Sequence, residues 1–172
     1  MRTEEGFARF VREHSSALLR TGYLLTGSRL AAEELVQDTL VRLFPKWDRV
    51  EAAELPLAYV RRSLANAWVN QRRRAARREY AFADVPERAD EHDPVGQLVE
   101  RDHLWAGLAD LPARQRAAIV LRFYEDLDDA DTAAALGCRV GTVRSLISRG
   151  LATLRDRMAP DPPGGPDPGS TR

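Results

Sequence analysis

Apolar residues recur at helical spacing along nearly the whole chain, and no period-two alternation marks a strand, so the pattern predicts an all-α fold. Phe7, Phe10, Val11, Leu18 and Leu19 outline a first helix, closing near Thr26-Gly27-Ser28, where glycine can take the left-handed conformation that ends a helix. A second helix starts at once. Ser28 can cap it, Glu33 and Glu34 lie in its first turns where carboxylates suit the helix dipole, and Val36, Leu40, Leu43 and Phe44 form its stripe until Pro45. A loop is expected around Trp47 to Leu55. Pro56 then opens a third stripe of Leu57, Val60, Leu64, Ala67 and Trp68, whose opposite face is rich in arginine.

The pattern fails from about Ala81 to Gly96, where Pro86, Pro94 and clustered acids predict an acidic flexible linker, long enough when extended to span roughly 50 Å. Residues 1–80 and 97–158 are therefore expected to be two small helical domains, joined by residues 81–96. In the second, Leu98, Trp105 and Leu108 mark one helix, and Pro112 opens another through Ile119, Val120 and Phe123. Thr132 to Cys138 followed by Val140 to Val143 then reads as a short helix, a tight turn at Gly137 and a longer helix with Val143, Ile147, Leu151, Leu154 and Met158 inward. That is a helix-turn-helix. Residues 159–172 hold five prolines and three glycines and are expected to be a disordered tail.

Length and a hydrophobic content of 44% support buried cores, which changes little. Charge changes more. The formal net charge of zero hides segregated blocks: seven arginines and no acid from Arg61 to Arg78, five acids from Asp84 to Asp93, five more from Glu125 to Asp131, and five arginines from Arg139 to Arg157. Twenty-five arginines stand beside the lone Lys46, a bias that genome composition explains as readily as function does.

Chemistry is limited. Cys138 is the only cysteine and His14, His92 and His103 are scattered, so neither a disulfide nor a metal site is expected. No glycine-rich phosphate loop or nucleophile with its base occurs, and neighbouring acids such as Glu33/Glu34 and Asp128/Asp129 diverge on a helix and read as surface. No enzyme activity and no cofactor are expected. With no uncharged apolar run of 18 residues and no hydrophobic N-terminal segment, a cytoplasmic protein without a membrane partner is predicted.

Two clusters point to nucleic acid. In a DNA-binding helix-turn-helix the second helix lies in the major groove, and small or polar side chains at its start allow close approach. Arg139, Gly141, Thr142, Arg144, Ser145 and Arg149 meet that requirement. An ordinary helical hairpin with a solvated basic face is the plain alternative. Upstream, Arg61, Arg62, Arg72, Arg73, Arg74 and Arg77 can neutralise phosphates from one ridge, and Asn66 and Asn70 can hydrogen-bond to bases. A solvated face explains them equally well. Tyr59 and Trp68 can stack on unpaired bases, although core packing is the better reading of Trp68.

The order of these motifs resembles the extracytoplasmic-function (ECF) sigma factors of bacterial RNA polymerase over residues 7 to 158, with a SigE-like subgroup as one option. Ala32 to Leu43 looks like the family's polymerase-binding helix, which docks on the β′ coiled coil, and implies contacts from Glu33, Glu34, Leu35, Gln37, Asp38, Val41 and Arg42. Pro56 to Arg74 is similar to the helix that recognises and opens the −10 element. Leu111-Pro112, Gln115-Arg116, Leu121 to Tyr124, Ala134 to Cys138 and Val140 to Ser145 look like the −35-binding domain, which adds Val143 to its DNA-facing set. The resemblance implies core polymerase, including its β flap, promoter DNA and an anti-sigma factor as partners. Three departures stand out: Arg139 where a capping serine is usual, Ser63 where asparagine is usual, and Asp128 to Asp131 in the supporting helix. The rival reading is a free-standing helix-turn-helix regulator that never joins polymerase.

Overall fold

The computed structural model describes residues 2–79 and 107–158, and every regular element among them is helical. Helix α1 (Arg2–Thr26) and α2 (Arg29–Leu43) form an antiparallel hairpin through Gly27, which sits at φ +77, and Ser28, whose side chain accepts from the Ala31 N–H. The hairpin is tight because Gly22 faces Ala32: a Cβ added at Gly22 would lie 3.2 Å from the Ala32 Cβ. Between α2 and α4 (Pro56–Glu79) the chain does not form the expected loop. A 3-10 turn, Phe44–Lys46, leads into a short helix α3 (Trp47–Glu51). Pro45 is tolerated in the first turn of a helix, and Trp47 and Val50 drive α3 onto the core at 1% and 0% exposure. Phe44, expected in the stripe of α2, is 40% exposed, its ring lying edge-on to Phe7.

Leu18, Leu25, Val60 and Leu64 are fully buried between α1, α2 and α4, and each burial stabilises by about 1.5–3 kcal/mol. Trp68 is buried too, as core packing requires.

In the second half a 3-10 turn (Gly107–Asp110) places Leu108 in the core, and α5 (Ala113–Ile119) begins after Pro112, which stands at the N-cap position without a side-chain capping bond. The expected helix from Leu98 to Trp105, the linker at 81–96 and the tail at 159–172 lie outside the described residues. Helix α5 widens into a π-helical turn, Val120–Tyr124, closed by the Glu125 N–H donating to the Val120 carbonyl at 3.0 Å. That five-residue step rotates Phe123 outward to 54% exposure, so it is not an inward residue as spacing alone predicted.

Helices α6 (Asp129–Leu136) and α7 (Val140–Met158) complete the fold. Val143 and Leu154 are buried and Ile147 and Leu151 pack against the core; Leu146 joins them, while the side chain of Met158 is outside the described set. The two halves touch. Helix α4 packs on α5 and α6, and α1 reaches α5, so one layer of side chains runs continuously through both domains.

Candidate nucleic-acid and partner interfaces

The helix-turn-helix is built from its caps. Asp128 accepts from the Asp131 N–H at 2.7 Å to start α6, and Gly137, at φ +59, ends it. The Cys138 N–H returns to the Ala133 carbonyl and the Gly137 N–H to Ala134, the two-bond closure that a left-handed glycine permits. Helix α7 then starts with the Thr142 and Val143 N–H groups donating to the Arg139 carbonyl. Arginine has no side-chain acceptor, so this start has no side-chain cap from residue 139. Arg139, Gly141, Arg144, Ser145 and Arg149 are exposed along one face and Thr142 is half-buried. Val143 is 0% exposed and holds α7 in place from the core, so it does not belong among the outward residues. A Cβ on Gly141 would meet nothing within 4 Å, which leaves open space at the start of the helix for an approaching surface.

Acids organise that face. Asp129 receives Arg144 Nε at 2.9 Å and lies 3.5 Å from Arg122 Nε, which fixes two guanidiniums across the turn. Asp128 and Asp129 are thus a cap and a positioning group, not the idle surface their adjacency implied.

On α4 the arginines divide into two groups. Arg72, Arg73, Arg74 and Arg77 are exposed on its C-terminal half, the arrangement expected of a cationic ridge. Asn66 and Asn70 share that side and are bonded to each other, Nδ2 of Asn70 donating to Oδ1 of Asn66 at 2.7 Å. Arg61 and Arg62, near its start, instead turn toward the second domain. Arg61 lies 2.8 Å from Glu125 and Arg62 2.6 Å from Asp131.

Glu34, Gln37, Asp38, Val41 and Arg42 form an exposed strip on α2, Val41 at 70%, while Glu33 is half-buried beside Arg29 at 2.9 Å. Leu35 is 3% exposed and points into the core, so the contact role that the resemblance implied for it does not fit its position.

The electrostatics concentrate where the domains meet. Burial holds the Glu125 carboxyl above its ordinary range, opposed by a hydrogen bond from Thr21 and by the charges of Arg61 and Arg20. Arg116 is 5% exposed; its Nε donates to the Leu24 carbonyl at 2.5 Å and its guanidinium lies 5.8 Å from the Trp68 ring. Desolvation lowers its pKa to about 10, and Tyr23 and Asp110 offset part of that. Composition gave no sign of Thr21, Arg116 or Glu125 as a group. Their pairings cross 92 and 104 residues, and only the acidic block at Glu125 to Asp131 hinted at them.

Among the described residues no group of His, Cys, Asp or Glu could hold a metal ion, and no helix is long and apolar enough to cross a membrane.

Residues 10–78 match the model of sigma-70 region 2 and residues 102–154 that of sigma-70 region 4. The chain is 35% identical over 152 residues to an RNA polymerase sigma-E factor of Streptomyces avermitilis, covering 88% of this chain and 84% of that one. It is 30% identical over 148 residues to the ECF RNA polymerase sigma factor SigL of Mycobacterium tuberculosis, covering 83% of each. Among solved structures it resembles the sigma factor RpoE of Bartonella quintana, crystallised with the anti-sigma factor NepR, with a TM-score of 0.64 and 27% identity over 91% of this chain and 98% of that one. A second likeness, to CnrH in complex with the cytosolic domain of CnrY, has a TM-score of 0.59 at 22% identity and speaks to fold alone. With both regions matched in order and relatives at 30–35% identity covered over more than four fifths of their length, the chain belongs to the ECF sigma factors, its two helical domains being sigma-70 regions 2 and 4.

Proposed function

We propose that this sigma factor directs initiation at a particular set of promoters, with residues 1–80 engaging core polymerase and the −10 element and residues 97–158 engaging the −35 element. The linker 81–96 spans between them. The observation that carries this reading is the pairing of an exposed, partly apolar strip on α2 with two separate arginine-bearing helices, α4 and α7.

Glu34, Gln37, Asp38, Val41 and Arg42, with Glu33 at their edge, are proposed to dock on the β′ coiled coil. Val41 supplies the apolar anchor within a polar rim. The second domain is proposed to meet the β flap. On α7, Arg139, Gly141, Thr142, Arg144, Ser145 and Arg149 face the major groove, where an arginine can read guanine bidentately. On α4, Arg72, Arg73, Arg74 and Arg77 neutralise phosphates, and Asn66 and Asn70 lie toward the strand that opens; Arg61 and Arg62, to which the resemblance gave the same role, are paired with Glu125 and Asp131 in the structure. Opening needs no catalyst in this chain: preferential binding of unstacked bases near Arg49 to Leu55 and along α4 shifts the equilibrium. Initiation chemistry belongs to polymerase, so the protein works in the cytoplasm without a cofactor. An anti-sigma factor is the proposed regulator, by analogy with the complex in which the Bartonella quintana sigma factor RpoE was solved. Run-off transcription with purified core polymerase tests the proposal.

A further inference from the structure

The first residue of α6 is a carboxylate divided between two arginines. Oδ2 of Asp129 accepts from Arg144 Nε at 2.9 Å, and Oδ1 lies 3.5 Å from Arg122 Nε. The Arg122 guanidinium is in turn 5.8 Å from the ring of Phe123, which the π-helical turn carries outward. The group therefore ties together three elements: the π-helical turn, the supporting helix α6 and the second helix of the helix-turn-helix, α7.

Stability does not explain it. The side chains of Arg122, Asp129 and Arg144 are 37%, 29% and 72% exposed, and ion pairs at that exposure are screened and contribute little. The joint between α6 and α7 is already held by the buried Leu136, Val143 and Leu146 and by the closure at Gly137. Attraction to DNA does not explain it either, because a carboxylate beside the helix proposed to enter the groove repels phosphates.

What the arrangement supplies is direction. A guanidinium is a planar fork, and occupation of its Nε side leaves the end-on pair, Nη1 and Nη2, for the two acceptors of a guanine edge. Arg149 on the same face is held differently: its Nε turns back to the Ser145 carbonyl of its own helix at 3.2 Å. Arg122 restores the charge that Asp129 cancels, since Arg144 with Asp129 alone sums to zero and the addition of Arg122 leaves one net positive charge. We infer that Asp129 is a positioning residue for base reading and Arg122 its charge compensator: the carboxylate aims Arg144 at a guanine edge, and Arg122 returns the attraction to the DNA backbone that the carboxylate removes. The inference rests on the proposed reading of α7 as the helix that enters the major groove, and it gives two members of one ion-pair group opposite signatures.

The test compares the full chain with Asp129→Asn, Arg122→Gln and the double variant in holoenzyme reconstituted from core polymerase, on templates randomised through the −35 block, with transcripts read by sequencing. The wild type is expected to favour guanine at the position Arg144 reads by roughly 5- to 150-fold, the range of a bidentate contact. Asp129→Asn should narrow that preference by about two- to fivefold, the coupling of an exposed ion pair, and steepen the fall of log affinity with log salt by about one. Arg122→Gln should keep the preference while binding of every sequence weakens and the salt slope becomes shallower by about one. The double variant should regain the wild-type slope with the narrowed preference. Circular dichroism checks that each variant is folded at the assay temperature. Where Asp129→Asn melts early, Asp129→Glu, which keeps the charge at a longer reach, should narrow the preference with the slope unchanged. A preference that survives loss of Asp129, or a loss shared equally by all −35 sequences, overturns the positioning role; an unchanged salt slope in Arg122→Gln overturns the compensation. If core polymerase yields no transcript with the wild type, the sigma-factor reading fails, and the same randomised block selected as duplex bound by the chain alone still decides the roles of Asp129 and Arg122.

Discussion

Arg144 Nε donates to Asp129 Oδ2 at 2.9 Å, so the first arginine within the second helix of the helix-turn-helix is oriented by the helix before it. Its remaining guanidinium nitrogens are free to address a base edge in a fixed direction, which is what bidentate readout needs. Arg144→Ala is expected to weaken −35-dependent transcription by about 1–3 kcal/mol if the side chain contacts a base. Asp129→Asn should give a smaller loss, since the arginine remains but loses its support. Promoter strength measured against changes in the −35 sequence checks both; an Arg144→Ala protein with unchanged promoter strength removes the residue from the interface.

Neighbouring positions on α2 should behave oppositely. Val41 is 70% exposed and Leu35 is 3% exposed. Val41→Asp should leave the melting temperature nearly unchanged yet lower affinity for core polymerase by tenfold or more, about 1.4 kcal/mol. Leu35→Ala should instead cost about 2–5 kcal/mol of stability through the cavity it leaves. Calorimetry beside a polymerase titration separates the two effects.

Trp47 gives a direct check on α3. Its ring meets Phe7 at 5.0 Å and Phe10 at 4.9 Å between centroids, and it is 1% exposed. Trp47→Ala is expected to destabilise the first domain by about 3–5 kcal/mol. A loss below about 1 kcal/mol in chemical denaturation would mean that the side chain is not part of the core.

Glu125 predicts a pH dependence of defined sign. Burial raises its carboxyl above the ordinary 4.5 despite the Thr21 hydrogen bond and the nearby arginines. The folded, docked state therefore binds its proton more tightly than the unfolded chain does. The stability this group contributes is fully present below the ordinary value and is lost as pH rises through the folded-state pKa. Replacing it with glutamine should remove that component. Urea denaturation of wild type and Glu125→Gln between pH 4 and 7 is the check: the difference between the two curves should move in that window, and parallel curves would contradict the assignment.

Much of this was legible in the sequence because it depends on local chemistry. Gly27, Ser28 and Gly137 mark helix ends through φ and capping groups that act within a few residues, and the structure places their helices accordingly. The stripes of α1, α4 and α7 follow from period alone. What was hidden depends on the third dimension. Trp47 and Val50 make a helix of a stretch that reads as a loop after Pro45, and one π-helical turn puts Phe123 outside. Val143 and Leu35 sit inside motifs whose outward residues surround them, and only burial separates supporting from contacting positions. The pairings of Arg61, Arg62 and Arg116 join residues far apart in the chain, for which no periodicity exists.

The central claim is that this chain confers promoter recognition on polymerase. Run-off transcription with purified core polymerase, on promoters taken from transcription start sites that depend on this protein, tests it most directly. The account predicts a transcript of defined length that requires both the protein and intact −10 and −35 sequences, and that is reduced by Val41→Asp and Arg144→Ala. Promoter DNA bound by the protein alone, with no transcript from core polymerase in its presence, would contradict it and leave a free-standing helix-turn-helix regulator in its place.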